Sequence, residues 1–273
     1  MTLRAGVVGH PINHSLSPLI HGAWIAAAGL DARYEAFDVT PDDFSAFVAA
    51  HRGSLTGLNV TVPHKETALA LATRVMPAAM SASAANLLTF KDGEIVADNT
   101  DGVGLLAALA DQAGFDPAGR TVTVLGAGGA ARGAVAALSA AGAAKIWVVN
   151  RTLERARALE TLGPVKGVGW SKSIDAFETD ALINATTLGL GGGPGPHAPL
   201  GMTPPHCVVM DMVYKPLRTN LLNEARAMNR SVVDGLAMLI GQARPSFEAF
   251  FGQAADPAVD VRALALNALS EAP

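Results

Sequence analysis

Lys65 stands at the expected start of a helix, in the run Asn59-Val60-Thr61-Val62-Pro63-His64-Lys65. A cation there opposes the positive end of the helix dipole, and a local rule broken in a polar neighbourhood marks a candidate site. An ammonium so placed can pass a proton to a carbonyl oxygen, provided that a carboxylate orients it and tunes its acidity. Asp101, in Asn99-Thr100-Asp101-Gly102, offers that carboxylate; it would equally serve as the N-cap of the helix that follows. Asn59 and Thr61 share parity on an extended strand, which sends both polar side chains to one face. Ser15 and Ser17, in His14-Ser15-Leu16-Ser17-Pro18, precede another helix, where a hydroxyl either caps the backbone or donates to a bound carboxylate. His10, His14, His21 and His64 lack a ligand-like spacing, so no metal is expected.

A second chemistry is written between Val122 and Arg132: an apolar strand, then Gly126-Ala127-Gly128-Gly129-Ala130-Ala131, then an alanine-rich helix. Glycines let a backbone approach a pyrophosphate closely, and the helix N-terminus supplies free N–H groups. Ala131 occupies the place of a third glycine, where a methyl still permits close packing of helix on strand. After the next strand, a carboxylate would bind the ribose 2′-hydroxyl of NAD. Asn150-Arg151-Thr152 stands there instead, with Arg155 one turn further on. Two guanidiniums and a hydroxyl suit the 2′-phosphate of NADP; the alternative is a Thr152 helix cap with solvated arginines.

These groups need a scaffold. With 273 residues, half of them hydrophobic and 16% charged, the chain suits a compact α/β protein of one large or two medium domains. A net charge of −4 gives no general attraction for nucleic acid or anionic membrane, so an anionic ligand needs a local cationic site. Cys207, the single cysteine, lies in an apolar run and reads as a buried strand residue; a cytoplasmic location is expected, with no signal peptide. The stretch without Asp, Glu, Lys or Arg from Ala181 to Met210 is broken by glycines and prolines and cannot be a spanning helix.

Patterning predicts strands at Ala5–Val8, Tyr34–Val39 and Leu58–Val62, with helices at Pro18–Ala28, Asp42–His51 and His64–Ala72. A hairpin follows, Leu87–Phe90 with Glu94–Ala97, and then a helix over Gly102–Gln112. The second half reads as strands at Thr121–Leu125, Lys145–Val149, Ala181–Asn184, Val208–Met212 and Ser231–Val233. Its helices are expected at Ala130–Ala140, Leu153–Leu162, Leu236–Ala243, Phe247–Phe251 and Pro257–Leu269. Alternating strands and helices point to parallel sheets, with a domain boundary near residue 100.

Taken together, the chain resembles the shikimate dehydrogenases over essentially its full length. The resemblance rests on His14–Pro18, Asn59–Lys65, Asn99–Gly102, Gly126–Ala131, Asn150–Thr152, Asn184-Ala185-Thr186, Asp211-Met212-Val213-Tyr214-Lys215-Pro216 and Gly235–Ala243. It implies a Rossmann-type NADP-binding domain over residues 101–235 and a smaller α/β substrate domain over 1–100 plus 236–273, with the cleft between them. It implies reversible, NADP-dependent reduction of 3-dehydroshikimate to shikimate, with Lys65 as general acid/base and Asp101 as its partner. Ser15 and Ser17 would take the substrate carboxylate, and Asn59, Thr61, Asn86, Asp101 and Gln242 its hydroxyls. Gly126, Gly128, Gly129, Ala130, Asn150, Arg151, Thr152 and Arg155 would hold NADP, with Tyr214 and Gly235 at the nicotinamide end. A monomer or homodimer acting on a small molecule, with no nucleic-acid or membrane partner, is expected.

Two departures leave alternatives open. Ser83-Ala84-Ala85-Asn86-Leu87 stands where the family usually reads Gly-Ala-Val-Asn-Thr, and Leu190 stands where Met is common. A relative acting on quinate or an amino-substituted ring acid is one alternative reading; a non-catalytic NADP-binding sensor is another. The glycine-rich Gly191–Pro196 stretch reads as either a flap or a plain surface loop.

Overall fold

The computed structural model describes residues 2–172 and 174–270. Two compact units are formed, one from Met1–Thr100 with Leu239–Pro273 and the other from Asp101–Met238.

The first unit is built on a six-stranded sheet of β1 (Leu3–Gly9), β2 (Ala32–Asp38), β3 (Gly57–Val60), β4 (Arg74–Val75), β5 (Leu87–Lys91) and β6 (Glu94–Asp98). Their order is β2-β1-β3-β5-β6-β4, and β5 alone runs against its neighbours. That reversal follows from the short β5–β6 hairpin, whose turn places Asp92 and Gly93 at positive φ. Helices α1 (Ser17–Ala27), α2 (Phe44–His51), α3 (Lys65–Ala70) and α4 (Pro77–Ala82) fill the connections. One sheet face packs Val8, Leu58, Val60, Leu88 and Ala97 against Phe44, Val48 and Ala68 of the helices. After residue 238 the chain returns to this unit with the rest of α9 (Gly235–Phe251), followed by α10 (Val261–Ser270).

In the second unit, α5 (Asp101–Ala113) leads into β7 (Thr121–Leu125), α6 (Gly129–Ala140), β8 (Lys145–Asn150), α7 (Leu153–Arg157) and β9 (Val165–Gly169). Then come β10 (Ala181–Asn184), β11 (Val208–Asp211), α8 (Asn220–Ala227) and β12 (Val232–Val233). All pairings are parallel, in the order β12-β11-β10-β7-β8-β9. This is the doubly wound arrangement, with its reversal point between β7 and β10, where ligands bind beyond the carboxyl ends of the strands. Val122 and Val124 pack on one side of the sheet and Leu125 on the other, so the strand is buried on both faces. Cys207 is fully buried just before β11, and burial pushes its thiol pKa up to about 11.

Several boundaries differ from the patterning. Two helices are expected around Arg244-Pro245-Ser246, yet α9 is continuous through Pro245. Ser246 Oγ donates to the Gln242 carbonyl at 3.1 Å across the same turn. The helix expected to Leu162 ends at Arg157 and resumes as a 3₁₀ turn at Glu160–Leu162. Patterning misses the short β4 and α4. It also misses β9, because Gly167 and Gly169 read as loop residues; a Cβ on Gly167 would lie 2.5 Å from the Ala156 carbonyl carbon of α7, so close packing demands the glycine. Helix α8 is likewise missed, although Thr219 caps it by accepting from the Leu222 N–H at 3.3 Å.

Candidate functional site

Lys65 opens α3, half-buried, with His64 in the N-cap position. Its carbonyl accepts from the Ala85 N–H at 2.9 Å, which ties it to the residue before Asn86. His64 itself belongs to the core: its ring stacks on Phe44 at 4.4 Å, and its Nε2 lies 2.8 Å from the Val39 carbonyl oxygen. Strand β3 ends at Val60, earlier than expected, so Thr61 follows it in irregular backbone, where its N–H donates to Val8.

From Asn86 a buried polar network extends. The Asn86 Oδ1 accepts from the Thr100 N–H at 2.7 Å, and its Nδ2 donates to Thr100 Oγ1 at 3.0 Å and to Gln242 Oε1 at 3.3 Å. Asn59 Nδ2 donates to Ser246 Oγ at 2.8 Å and to the Asn86 carbonyl at 3.3 Å, while Asn59 Oδ1 accepts from the Tyr34 hydroxyl at 2.7 Å. Asn59, Asn86, Thr100, Gln242 and Ser246 are all at most 8% exposed, and a buried polar cluster is stable only when so satisfied. Asp101, the next residue along the chain, is 5% exposed and begins α5. Asn59, Asn86 and Gln242 are thus brought together, with Lys65 tied in through its backbone and Asp101 through the chain.

Three members of the network are not assigned from sequence. Ser246 follows Gln242 by four residues, one helical turn, and that spacing is the signal which could have found it. Thr100 was within reach in its motif. Tyr34 carries no local signal, because only the sheet brings its hydroxyl across β1 to Asn59.

Ser15 and Ser17 lie together at the start of α1. The expected Ser17 cap does not form: the helix already includes Ser17, and Leu16 occupies the cap position. Ser15 Oγ instead accepts from the Ser17 N–H at 3.3 Å. Ser83 sits at φ 50 in the left-handed region, which accounts for the family's usual glycine there, while nothing in the structure explains the serine. Leu87, at 4% exposure, is an apolar residue inside the sheet, paired with Asn59 and Asp98.

At the end of β7, Gly126 adopts φ +107, and a Cβ there would lie 2.9 Å from Thr186 Cγ2 and 3.2 Å from the Ala185 carbonyl. Gly128 caps α6, and its missing side chain faces open space. Ala131 is fully buried, its methyl accommodated against the sheet. The Gly126–Ala130 turn is therefore a cradle, exposed at Gly128 and partly so at Gly129 and Ala130, at the N-terminus of a 12-residue helix, which fits a pyrophosphate. The Gly126 N–H donates to Val149 at 2.8 Å, so the cradle adjoins Asn150-Arg151-Thr152. Asn150 Nδ2 donates to the Thr152 carbonyl at 2.9 Å, and Thr152 takes the α7 cap position without a side-chain cap bond. Arg151 and Arg155 are exposed and form no ion pair among the described residues. Such free guanidiniums fit a 2′-phosphate.

Beyond β11, Gly235 packs so tightly that a Cβ would lie 2.4 Å from the Met212 carbonyl oxygen and 2.8 Å from that of Val213. This brings Gly235 beside the strand end that leads to Tyr214. Asp211 anchors the region. Fully buried, it accepts from Asn184 Nδ2 at 2.8 Å, the Val213 N–H at 3.0 Å and Thr219 Oγ1 at 2.7 Å. Burial raises its pKa above the ordinary carboxylate value, against the pull of those three donors. Among the described residues no group of three His, Cys, Asp or Glu side chains is placed to hold a metal ion. No helix of the described residues is long and apolar enough to cross a membrane.

Residues 7–88 match the shikimate dehydrogenase substrate-binding domain, and residues 108–186 match the shikimate/quinate 5-dehydrogenase family. The chain is 56% identical over 272 residues to a shikimate dehydrogenase (NADP(+)) of Caulobacter vibrioides, covering 97% of this chain and 95% of that protein. It belongs to the shikimate dehydrogenase family. A Mesorhizobium japonicum shikimate dehydrogenase (NADP(+)) is 46% identical, covering 96% of this chain and 95% of that one. Among solved structures, shikimate 5-dehydrogenase from Thermus thermophilus, in complex with NADP(H) and shikimate, superposes with a TM-score of 0.88. Its identity is 37%, covering 97% of this chain and 99% of that one. Membership in the shikimate dehydrogenase family accounts for the pairing of a doubly wound unit with a second sheet.

Proposed function

We propose that the protein catalyses the NADP-dependent, reversible reduction of 3-dehydroshikimate to shikimate. The observation that carries this reading is the buried amide and hydroxyl network of Asn86, Thr100 and Gln242, flanked by Lys65 and Asp101. Such a cluster suits a ring bearing several hydroxyls, because Gln242 keeps one Nε2 hydrogen without a partner among the described residues, and a hydroxyl that accepts it completes the network. NADP supplies or accepts a hydride when bound, and the glycine cradle with Arg151, Thr152 and Arg155 would hold its phosphates. Lys65 gives its ammonium proton to the carbonyl oxygen as the carbon is reduced, which yields the alcohol; in the oxidative direction the neutral amine takes that proton back. Asp101 keeps the ammonium oriented. Ser15 and Ser17 donate to the ring carboxylate, while Thr61, Asn86 and Gln242 meet the hydroxyls. Tyr214 and Gly235 border the nicotinamide end.

The names of the relatives at 56% and 46% identity, both NADP-dependent shikimate dehydrogenases, support the same substrate and cofactor over quinate or a sensor role. Work in the cytoplasm as a monomer or homodimer fits a chain whose one thiol is buried. Initial rates with shikimate and quinate, each with NADP and NAD, test the whole reading. Shikimate with NADP is expected to dominate; a preference for quinate or NAD would refute it, and NADP binding without turnover would favour a sensor.

A further inference from the structure

We propose that Asn59 is a positioning residue and not a substrate ligand, and that Tyr34 and Ser246 fix, through it, the donor sense of the amide network. This rests on reading Gln242 as a hydroxyl-binding group.

An asparagine side chain has two N–H donors and one acceptor oxygen. The Nδ2 of Asn59 has Ser246 Oγ at 2.8 Å and the Asn86 carbonyl oxygen at 3.3 Å, so both hydrogens are engaged within the protein. The Asn86 carbonyl can only accept. The reverse amide orientation would set oxygen against oxygen there, so the flip is determined by the surroundings. With that sense fixed, the hydroxyl of Tyr34 must donate to Asn59 Oδ1, at 2.7 Å. Ser246, already accepting from Asn59, directs its own proton to the Gln242 carbonyl at 3.1 Å. The chain of donors therefore runs one way, from Tyr34 through Asn59 and Ser246 to the backbone of Gln242.

Gln242 is oriented from its other end as well. Its Oε1 accepts from Asn86 Nδ2 and Thr100 Oγ1, each at 3.3 Å, and its Nε2 gives one hydrogen to the Leu239 carbonyl at 3.0 Å. The second Nε2 hydrogen has no partner among the described residues. Gln242 thus presents a donor, and a ring hydroxyl meeting it must accept. Tyr34 is well placed to hold this sense. It is 8% exposed and its ring stacks on His21 at 4.0 Å, nearly parallel, so no water replaces its hydroxyl if it is removed.

A double-mutant cycle tests the inference, using KM for shikimate and for NADP in Tyr34→Phe, Asn59→Ala and the pair. Tyr34→Phe is expected to raise KM for shikimate about 3–10-fold, the worth of one net hydrogen bond, with kcat changed less than about twofold and KM for NADP unchanged. With Ser17→Ala in every arm, because Ser17 also meets the Tyr34 hydroxyl, the same change in the Asn59→Ala background should add less than about twofold, since its effect passes through the missing amide. Multiplying effects would overturn the proposal, as would a shikimate complex in which Asn59 Nδ2 leaves Ser246 for a substrate oxygen. If Asn59→Ala does not fold, Ser246→Ala takes its place in the cycle. Wild-type protein inactive on shikimate would fail the functional reading alone; the cycle read in Tm then still tests the chain, with the same non-additivity expected.

Discussion

Replacing His21 by Phe should reduce the protein's loss of stability between about pH 8 and pH 5. The imidazole is fully buried, stacked on Tyr34, and set edge-on to Trp24 at 5.6 Å. Neither ring nitrogen has a hydrogen-bond partner among the described residues. Burial pushes its pKa from 6.5 down to about 3, since a charge there would have no water and no counter-ion. The folded value lies below the unfolded one, so the unfolded chain takes up the proton first as pH falls. Stability from the neutral ring is therefore complete above about pH 6.5 and is progressively lost toward about pH 3. At pH 5 the loss works out at about 2 kcal/mol, or a Tm drop of roughly 4–8 °C for a chain of this size. Urea midpoints and Tm of wild type and His21→Phe, measured at several pH values from about 8 to 5, give the comparison. Titrations common to both proteins cancel, and any strain from the larger ring shifts the variant equally at every pH. Parallel pH curves would refute the reasoning, because they would mean that the folded protein protonates His21 as readily as the unfolded chain does.

Other outcomes follow from the same structure. Lys65→Ala should lower kcat by about 10²–10⁴ while KM for NADP stays within about threefold, read from initial rates; near-normal turnover would remove Lys65 from the mechanism. Arg151→Asp should raise KM for NADP at least about tenfold and erode the preference over NAD, since a charge-assisted bidentate pair is replaced by repulsion; an unchanged preference would show that Arg151 does not read the 2′-phosphate. Gly235→Ala should cost about 1–3 kcal/mol in urea unfolding, because its Cβ would collide with the Met212 carbonyl at 2.4 Å, and should disturb cofactor binding through the adjoining Tyr214 segment.

Much of the architecture was legible because the strands of the second unit other than β9 are short, mostly apolar runs bounded by turn signals. The glycine cradle was legible for the same reason: Gly126 and Gly128 lie between an unmistakable strand and an alanine-rich helix. What escaped was tertiary in origin. Gly167 looks like a loop residue until α7 is seen resting on it, and Pro245 looks like a break until α9 is seen passing through it. In the site, motifs named the residues but not their partners. Asn59 reads as a polar group awaiting a ligand; only the fold shows Tyr34, Ser246 and the Asn86 carbonyl already around it.

The first unit is assembled from both ends of the chain, and this has a consequence during translation. Asn86 and Gln242 stand 156 positions apart in sequence. At ribosomal speeds of about 5–20 residues per second, roughly 8–30 s separate the appearance of the two. The nascent cofactor-binding half is complete as soon as Met238 has been added, whereas the N-terminal sheet must wait, its polar groups in water, for the last helices to emerge. A truncation after Met238 would leave a nucleotide-binding half able to fold and a partner half that cannot finish.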